Sequence, residues 1–202
     1  MFTIGDARPM SLDLEGVGIV TEYRGIRFRS RPEARWAAMF DQFHWSWSYE
    51  PIDLSGYVPD FSVAFPGRRP LLIEVKGASL VYDDLQPHAQ RICLSGWHGD
   101  FLVLGAGPFL DRTWPVLGMY AMWDRESDDG WHPADRAELI DCGVCHRISV
   151  RHASAGYRCA ACGSDDRAAV AFPADIESLG DSWAYACNVV QWQPAAQRIE
   201  ES

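Results

Sequence analysis

The sequence predicts an α/β chain, a small mixed β-sheet flanked by helices with a cysteine-rich appendage. A capped amphipathic helix precedes several apolar runs of strand length, one alternating and others continuous. Two Cys-x-x-Cys pairs follow in the C-terminal half. The chain has 202 residues, 48% of them hydrophobic and 23% charged, enough to bury one core and leave room for a small appendage.

The elements follow in order. Ser30-Arg31-Pro32-Glu33 reads as a helix start, with Ser as N-cap, Pro in the first turn and Glu three residues after the cap. The helix runs over 31–43 and places Trp36, Met39, Phe40 and Phe43 on one apolar stripe. Trp45, Trp47 and Tyr49 then alternate with Ser46, Ser48 and Glu50, the period of a half-buried strand. Ser55-Gly56 marks a turn, and strands are expected over 57–65 and 71–75 on either side of Pro66-Gly67-Arg68-Arg69-Pro70. Gly77 breaks the pattern, and a second helix is expected over 84–95. Phe101-Leu102-Val103-Leu104 reads as a buried interior strand, and 119–123 as one more. Residues 124–130, five of seven charged, open the expected linker. Asp181 reads as the N-cap of a last helix reaching about Trp192, whose stripe of Trp183, Ala186, Cys187 and Val190 would dock on the core. The expected units are an N-terminal extension (1–21), a core (22–123), a linker (124–140), a cysteine unit (141–165) and a C-terminal segment with its docking helix (166–202).

Eighteen basic and 28 acidic residues give a net charge of -10, which excludes indiscriminate coating of DNA or a membrane. The acidity is concentrated after residue 80; residues 1–80 carry nine basic and ten acidic side chains. Within that near-neutral part Arg24, Arg27, Arg29, Arg31 and Arg35 form a local basic cluster. The apolar runs at 101–110 and 113–123 fall short of the roughly 20 residues of a membrane span. The N-terminus has no basic start followed by an apolar stretch. The expectation is a cytoplasmic protein with no membrane partner.

Seventeen of the eighteen basic residues are Arg, and Lys76 is the only Lys. It stands in Glu74-Val75-Lys76, where strand periodicity puts Glu74 and Lys76 on one face and Val75 on the other. Asp60, on the neighbouring expected strand, joins them. Two carboxylates and an ammonium buried beside aromatic strands need compensation, which a divalent cation supplies. A compact ammonium with a shiftable pKa suits such a place better than a guanidinium.

Pro59-Asp60 followed by Glu74-x-Lys76 resembles the PD-(D/E)xK nuclease superfamily, in particular its resolvase, transposon and phage endonuclease branches. The resemblance covers about residues 22–105. It implies a restriction-endonuclease-like core and a DNA endonuclease of phage or mobile-element origin, leaving 5′-phosphate products. Asp60, Glu74 and the Val75 carbonyl would hold Mg²⁺ or Mn²⁺, and Lys76 would orient the attacking water. Glu33 matches the extra acidic residue that many members carry on the preceding helix; its other role is as capping-box partner of Ser30. Glu50 is a second acidic candidate. Gln86 and Gln90 occupy helix positions where some members contact phosphate or water. DNA is the implied partner, with a homodimer or a larger DNA-processing complex possible. An RNA or branched target, or an inert adaptor on a nuclease-like core, are the alternatives.

Cys142-Gly-Val-Cys145 and Cys159-Ala-Ala-Cys162, thirteen residues apart, suit a tetrahedral Zn²⁺ with four thiolates. A hairpin of 147–150 with 156–158 would complete a zinc ribbon whose folding energy comes from the metal. His146 then stays outside the shell. Arg147, Arg151, His152 and Arg158 make the ribbon locally basic. The candidate nucleic-acid contacts are Arg27, Arg29, Arg31, Arg35 and Arg151. Cys93 and Cys187 read as reduced, buried helix residues, and His88 and His98 as structural.

Overall fold

The computed structural model describes residues 18–77, 88, 91–92, 94–111, 114–124, 134–156, 158–165, 170–171 and 176–191. Strands β1 (Thr21–Tyr23) and β2 (Ile26–Phe28) form an antiparallel hairpin across Arg24-Gly25, both left-handed, as a two-residue turn requires. Periodicity does not announce this hairpin, because three-residue strands carry too little alternation. Helix α1 (Arg31–Gln42) begins as expected: Ser30 is the extended N-cap, and its Oγ accepts the Glu33 N–H at 3.3 Å.

Eight strands make one mixed sheet. They are β3 (Ser46–Tyr49), β4 (Phe61–Ala64), β5 (Leu71–Val75), β6 (Phe101–Asp111), β7 (Trp114–Ala121), β8 (Asp135–Cys142), β9 (Ile148–His152) and β10 (Val170–Ala171). Their order is β10-β8-β7-β6-β5-β4-β3, with β9 also paired to β8. Only β5 and β6 run parallel among these pairs. Every residue of β5 is buried, as a strand covered on both faces must be. Leu71, Ile73 and Val75 pack toward α1 with Trp36, Phe40 and Phe61, while Leu72 joins Ile92, Phe101 and Val103 on the opposite face.

Helix α2 (Ile176–Val189) docks on α1. Trp183 and Trp36 lie 4.8 Å apart between ring centroids, and Gln42 Nε2 donates to the Ser182 carbonyl at 2.9 Å. Asp181 is therefore not the N-cap; it lies inside a helix that begins five residues earlier. Gly180-Asp181 mimics a helix start, but Leu179, Ala186 and Val190 are all buried on the docking stripe, and the chain stays helical to put Leu179 there. No described helix is long and apolar enough to cross a membrane.

Two expectations about the C-terminal half are corrected. The stretch 124–140 does not act as a linker throughout, since β8 starts at Asp135 and buries Ala137, Leu139 and Ile140 in the sheet. Among the described residues, 147–150 do not pair with 156 or 158 either; β9 pairs with β8, Leu139 opposite Val150. The cysteine unit thus grows out of the main sheet, and Val150 and Ala160 belong to its core. Most of the expected helix over 84–95 lies outside the described residues, as do Gln86, Gln90 and Cys93; Arg91, Ile92 and Leu94 are helical. Cys187 lies half-buried in α2 as a free thiol.

Candidate functional site

Asp60, Glu74 and Lys76 meet where β4 begins and β5 ends. Asp60 stands one residue before β4, its carbonyl accepting the Glu50 N–H at 2.8 Å and so extending the β3–β4 ladder. Its Oδ2 accepts the buried Val75 N–H at 2.7 Å, which places a carboxylate where the β4–β5 ladder would otherwise continue. Its Oδ1 accepts from Arg29 Nη2 at 2.6 Å. Arg29 Nε also pairs with Glu50 Oε1 at 3.0 Å.

Glu74 shares the Leu72 face of β5, away from Val75, as strand periodicity predicts. Its Oε1 lies 2.8 Å from Lys76 Nζ, and its Oε2 accepts from the Tyr57 hydroxyl at 2.8 Å. Burial, and then the Glu74 charge and hydrogen bond, hold the Tyr57 hydroxyl well above the ordinary tyrosine range, so it stays a donor.

Both carboxylates are buried, and the consequence is visible at Asp60, whose carboxyl is pushed up to about 7. Burial is the largest cause and the Glu74 charge the next; the Val75 N–H and Arg29 oppose them. Arg29 opposes them weakly because its side chain is 58% exposed and water screens its charge.

Glu33 stands on the α1 side of this edge, with its oxygens committed. Oε1 accepts from the Ser30 hydroxyl at 2.6 Å; Oε2 accepts from the Tyr49 hydroxyl at 2.6 Å and from the Arg29 N–H at 3.2 Å. Glu33 thus meets the N-cap through the Ser30 hydroxyl and the N–H of the preceding Arg29, and Tyr49 adds an anchor on β3. Among the described residues, no three acidic side chains bring ligand atoms within 4.8 Å of one another. A cation at this place would take Asp60, Glu74 and the Val75 carbonyl, filling its shell with water as Mg²⁺ commonly does. The hard oxygen donors and their mutual repulsion fit such an ion, and Arg29 would yield Oδ1 to it.

The four cysteines do gather: the sulfurs of Cys142, Cys145, Cys159 and Cys162 all lie within 4.8 Å of one another. The Cys142–Cys162 and Cys145–Cys159 separations are each 3.7 Å, close to the roughly 3.8 Å edge of a tetrahedron with Zn–S bonds of about 2.3 Å. They are far too long for S–S bonds. The two knuckles repeat one backbone scheme. Cys142 N–H donates to the Arg147 carbonyl and Cys159 N–H to the Ser164 carbonyl; the residue after each second cysteine donates back to the first. Four close cysteines of this geometry could bind a structural zinc, and His146 is exposed outside them.

The five clustered arginines are distributed over several partners. Arg24 pairs with Asp41 at 2.8 Å and Arg29 with Asp60 and Glu50; Arg27 is exposed on β2, and Arg31 and Arg35 are half-buried on α1. Arg151, expected as a nucleic-acid contact, is held within the protein. Its side chain is 9% exposed, pairs with the equally buried Glu138 at 2.5 Å, and donates to the Ala155 carbonyl at 2.7 Å. Buried between β8 and β9, its charge is already answered. The sequence reading missed Tyr57 and the pairing of Arg29 with Asp60.

No model of a known protein family matches the chain, no curated protein matches it, and no solved structure matches it.

Proposed function

We propose that the chain is a metal-dependent endonuclease hydrolysing DNA phosphodiester bonds at the Asp60–Glu74–Lys76 edge, on a restriction-endonuclease-like core. The observation that carries the reading is the burial of two like charges side by side, Asp60 raised by Glu74, with the chain's only lysine 2.8 Å from Glu74. Such an arrangement costs stability, and carboxyls shifted by burial and a like charge cluster at functional sites. Bound Mg²⁺ or Mn²⁺ would lower the pKa of a water molecule and offset charge on the phosphoryl oxygens. Asp60, Glu74 and the Val75 carbonyl would hold the ion. Tyr57 fixes the Glu74 carboxylate through its Oε2 and leaves Oε1 to Lys76. Lys76 would bring its ammonium to the nucleophile and the developing negative charge. Glu33 would act from outside, holding Tyr49 and the Arg29 backbone at the entrance.

The test is incubation of the purified chain with linear, supercoiled, branched and single-stranded DNA and with RNA, with and without Mg²⁺ or Mn²⁺. Cleavage lost in Asp60→Ala and in Lys76→Ala supports the reading; cleavage at parental rates in both variants overturns it. A second reading, an inert adaptor on the same core, is favoured by the Arg29–Asp60 and Lys76–Glu74 ion pairs, which give each carboxylate a cationic partner from the chain itself. No cleavage of any substrate by the parent chain would select the adaptor.

A further inference from the structure

At the other end of β4 and β5, about 15 Å away along five residues of strand, lies a cleft of about 1060 Å³. It sits at the top of the roughly 300–1,000 Å³ range of small-molecule sites. Its lining includes residues 66–69 with Arg68 and Arg69, and the segment carrying the second cysteine knuckle with Arg158, Cys162 and Gly163. Tyr120, His98 and Trp123 line it as well. His98 and Trp123 stack at 4.6 Å with planes 23° apart, and His98 is exposed. Arg69 donates to the His98 carbonyl and so ties the turn to this stack. The Arg68 charge is felt at the Tyr120 hydroxyl, which burial and Asp100 hold above the ordinary range and Arg68 draws back. Arg158 is held by its Nε on the Gly163 carbonyl at 3.3 Å.

The whole chain is acidic, yet four guanidiniums, those of Arg68, Arg69, Arg151 and Arg158, line this cleft against two carboxylates, Asp100 and Asp165, together with aromatic and imidazole rings. Guanidiniums contributed by separate segments suit the phosphates of a strand, and flat rings in the same cleft suit unpaired bases. A duplex would hide its base faces from such a floor, and an acidic peptide would have no use for the rings. We propose that this cleft binds a single-stranded nucleic-acid segment, with Arg68 and Arg158 on phosphates and His98 presenting a stacking face. Because Cys162 and Gly163 form part of the wall, the cleft depends on the folded knuckle. The site does not require that the carboxylate edge cut DNA.

The experiment is fluorescence anisotropy of a labelled oligothymidylate with the full, zinc-loaded chain over a range of salt, without chelator or Mg²⁺. Arg68→Ala and Arg158→Ala should each weaken binding several-fold and reduce the slope of log K against log salt by about 0.7. His98→Ala should weaken binding about tenfold with the slope unchanged. Parental affinity and slope in Arg68→Glu, an exposed position where folding is not at risk, would overturn the proposal. So would displacement by polyglutamate as effective as by oligothymidylate, which would point to an acidic protein partner. Asp60→Ala separates the two sites: binding retained supports an independent cleft, and binding lost assigns the strand to the carboxylate edge. A parent chain that binds the strand but cuts nothing retires the endonuclease reading and leaves the cleft standing.

Discussion

His146 and Gly163 occupy equivalent places: each follows the second cysteine of a knuckle, each is left-handed (φ 53° and 76°), and each donates its N–H to the carbonyl of the first cysteine, at 2.7 and 2.9 Å. Glycine adopts this conformation freely, whereas an L side chain pays about 1–2 kcal/mol. Gly163→Ala should therefore destabilise the chain by about 1–2 kcal/mol. His146→Ala exchanges one strained residue for another and should change stability by less than about 0.5 kcal/mol. Thermal melts together with zinc content decide it. A fall in zinc content in His146→Ala would put the imidazole in the metal shell and contradict the four-cysteine assignment.

Stripping zinc should unfold more than the knuckles. Cys142 ends β8, the first knuckle joins β8 to β9, and Ala160 packs in the main core. Chelation, or Cys159→Ser, should lower the melting temperature of the whole chain in one cooperative transition. Calorimetry showing an unchanged main transition preceded by a small separate one would mean that the cysteine unit folds as an independent module.

Without divalent cations, Asp60 should make the chain less stable as pH rises. Its carboxyl titrates at its ordinary 3.8 when unfolded and at about 7 when folded, so between these values the folded state holds the extra proton. The stabilisation is complete below about pH 4 and is lost as pH climbs through about 7, worth on the order of a few kcal/mol. Asp60→Asn keeps an acceptor for the Val75 N–H and removes the titration. Relative to this variant, the parent melting temperature should fall from pH 4 to pH 8, and Mg²⁺ should restore part of it at pH 8 in the parent only. Parallel melting curves across that range would show that Asp60 is ionised throughout.

What the sequence discloses and what it hides follow from the range of the interactions. The capped start of α1 rests on Ser30 and Glu33, three residues apart. The Trp45, Trp47, Tyr49 alternation and the cysteine spacing are equally local, and all are readable. Glu74 and Lys76 are placed on one face by a two-residue period. Arg29 and Asp60 are 31 residues apart and Tyr57 and Glu74 seventeen, and nothing local marks them as partners. Most of strand β8 falls in the expected linker because Asp135, Arg136 and Glu138 make it look solvated. The guanidinium that lets Glu138 be buried is on β9, thirteen residues on.

Glu33 offers a test of capping against ligation. Glu33→Ala removes the acceptor of the Ser30 and Tyr49 hydroxyls and leaves the Arg29 N–H only the Tyr49 hydroxyl oxygen, and should cost about 1–3 kcal/mol. Glu33→Gln keeps an acceptor oxygen and should recover part of that loss. In neither variant should the Mg²⁺ concentration for half-maximal cleavage move more than about twofold if the residue only positions its neighbours. A tenfold rise in Glu33→Gln, with stability near the parent's, would make it a ligand.

The buried Glu138–Arg151 pair should be worth more when broken than when replaced. Arg151→Ala leaves the Glu138 carboxylate, itself only 9% exposed, with the longer Arg136 contact at 3.7 Å, and should cost about 3 kcal/mol. It also releases the Ala153 and Ala155 carbonyls that Arg151 holds, so the turn delivering Cys159 loosens and zinc affinity should fall with stability. The double variant Glu138→Leu, Arg151→Met removes both charges and fills similar volume, and should recover most of the melting temperature. Because it does not restore the hydrogen bonds to the turn, zinc affinity should stay below the parent's. Full recovery of both would mean that Arg151 acts on the knuckle through packing alone, and recovery of neither would place its main role in the turn.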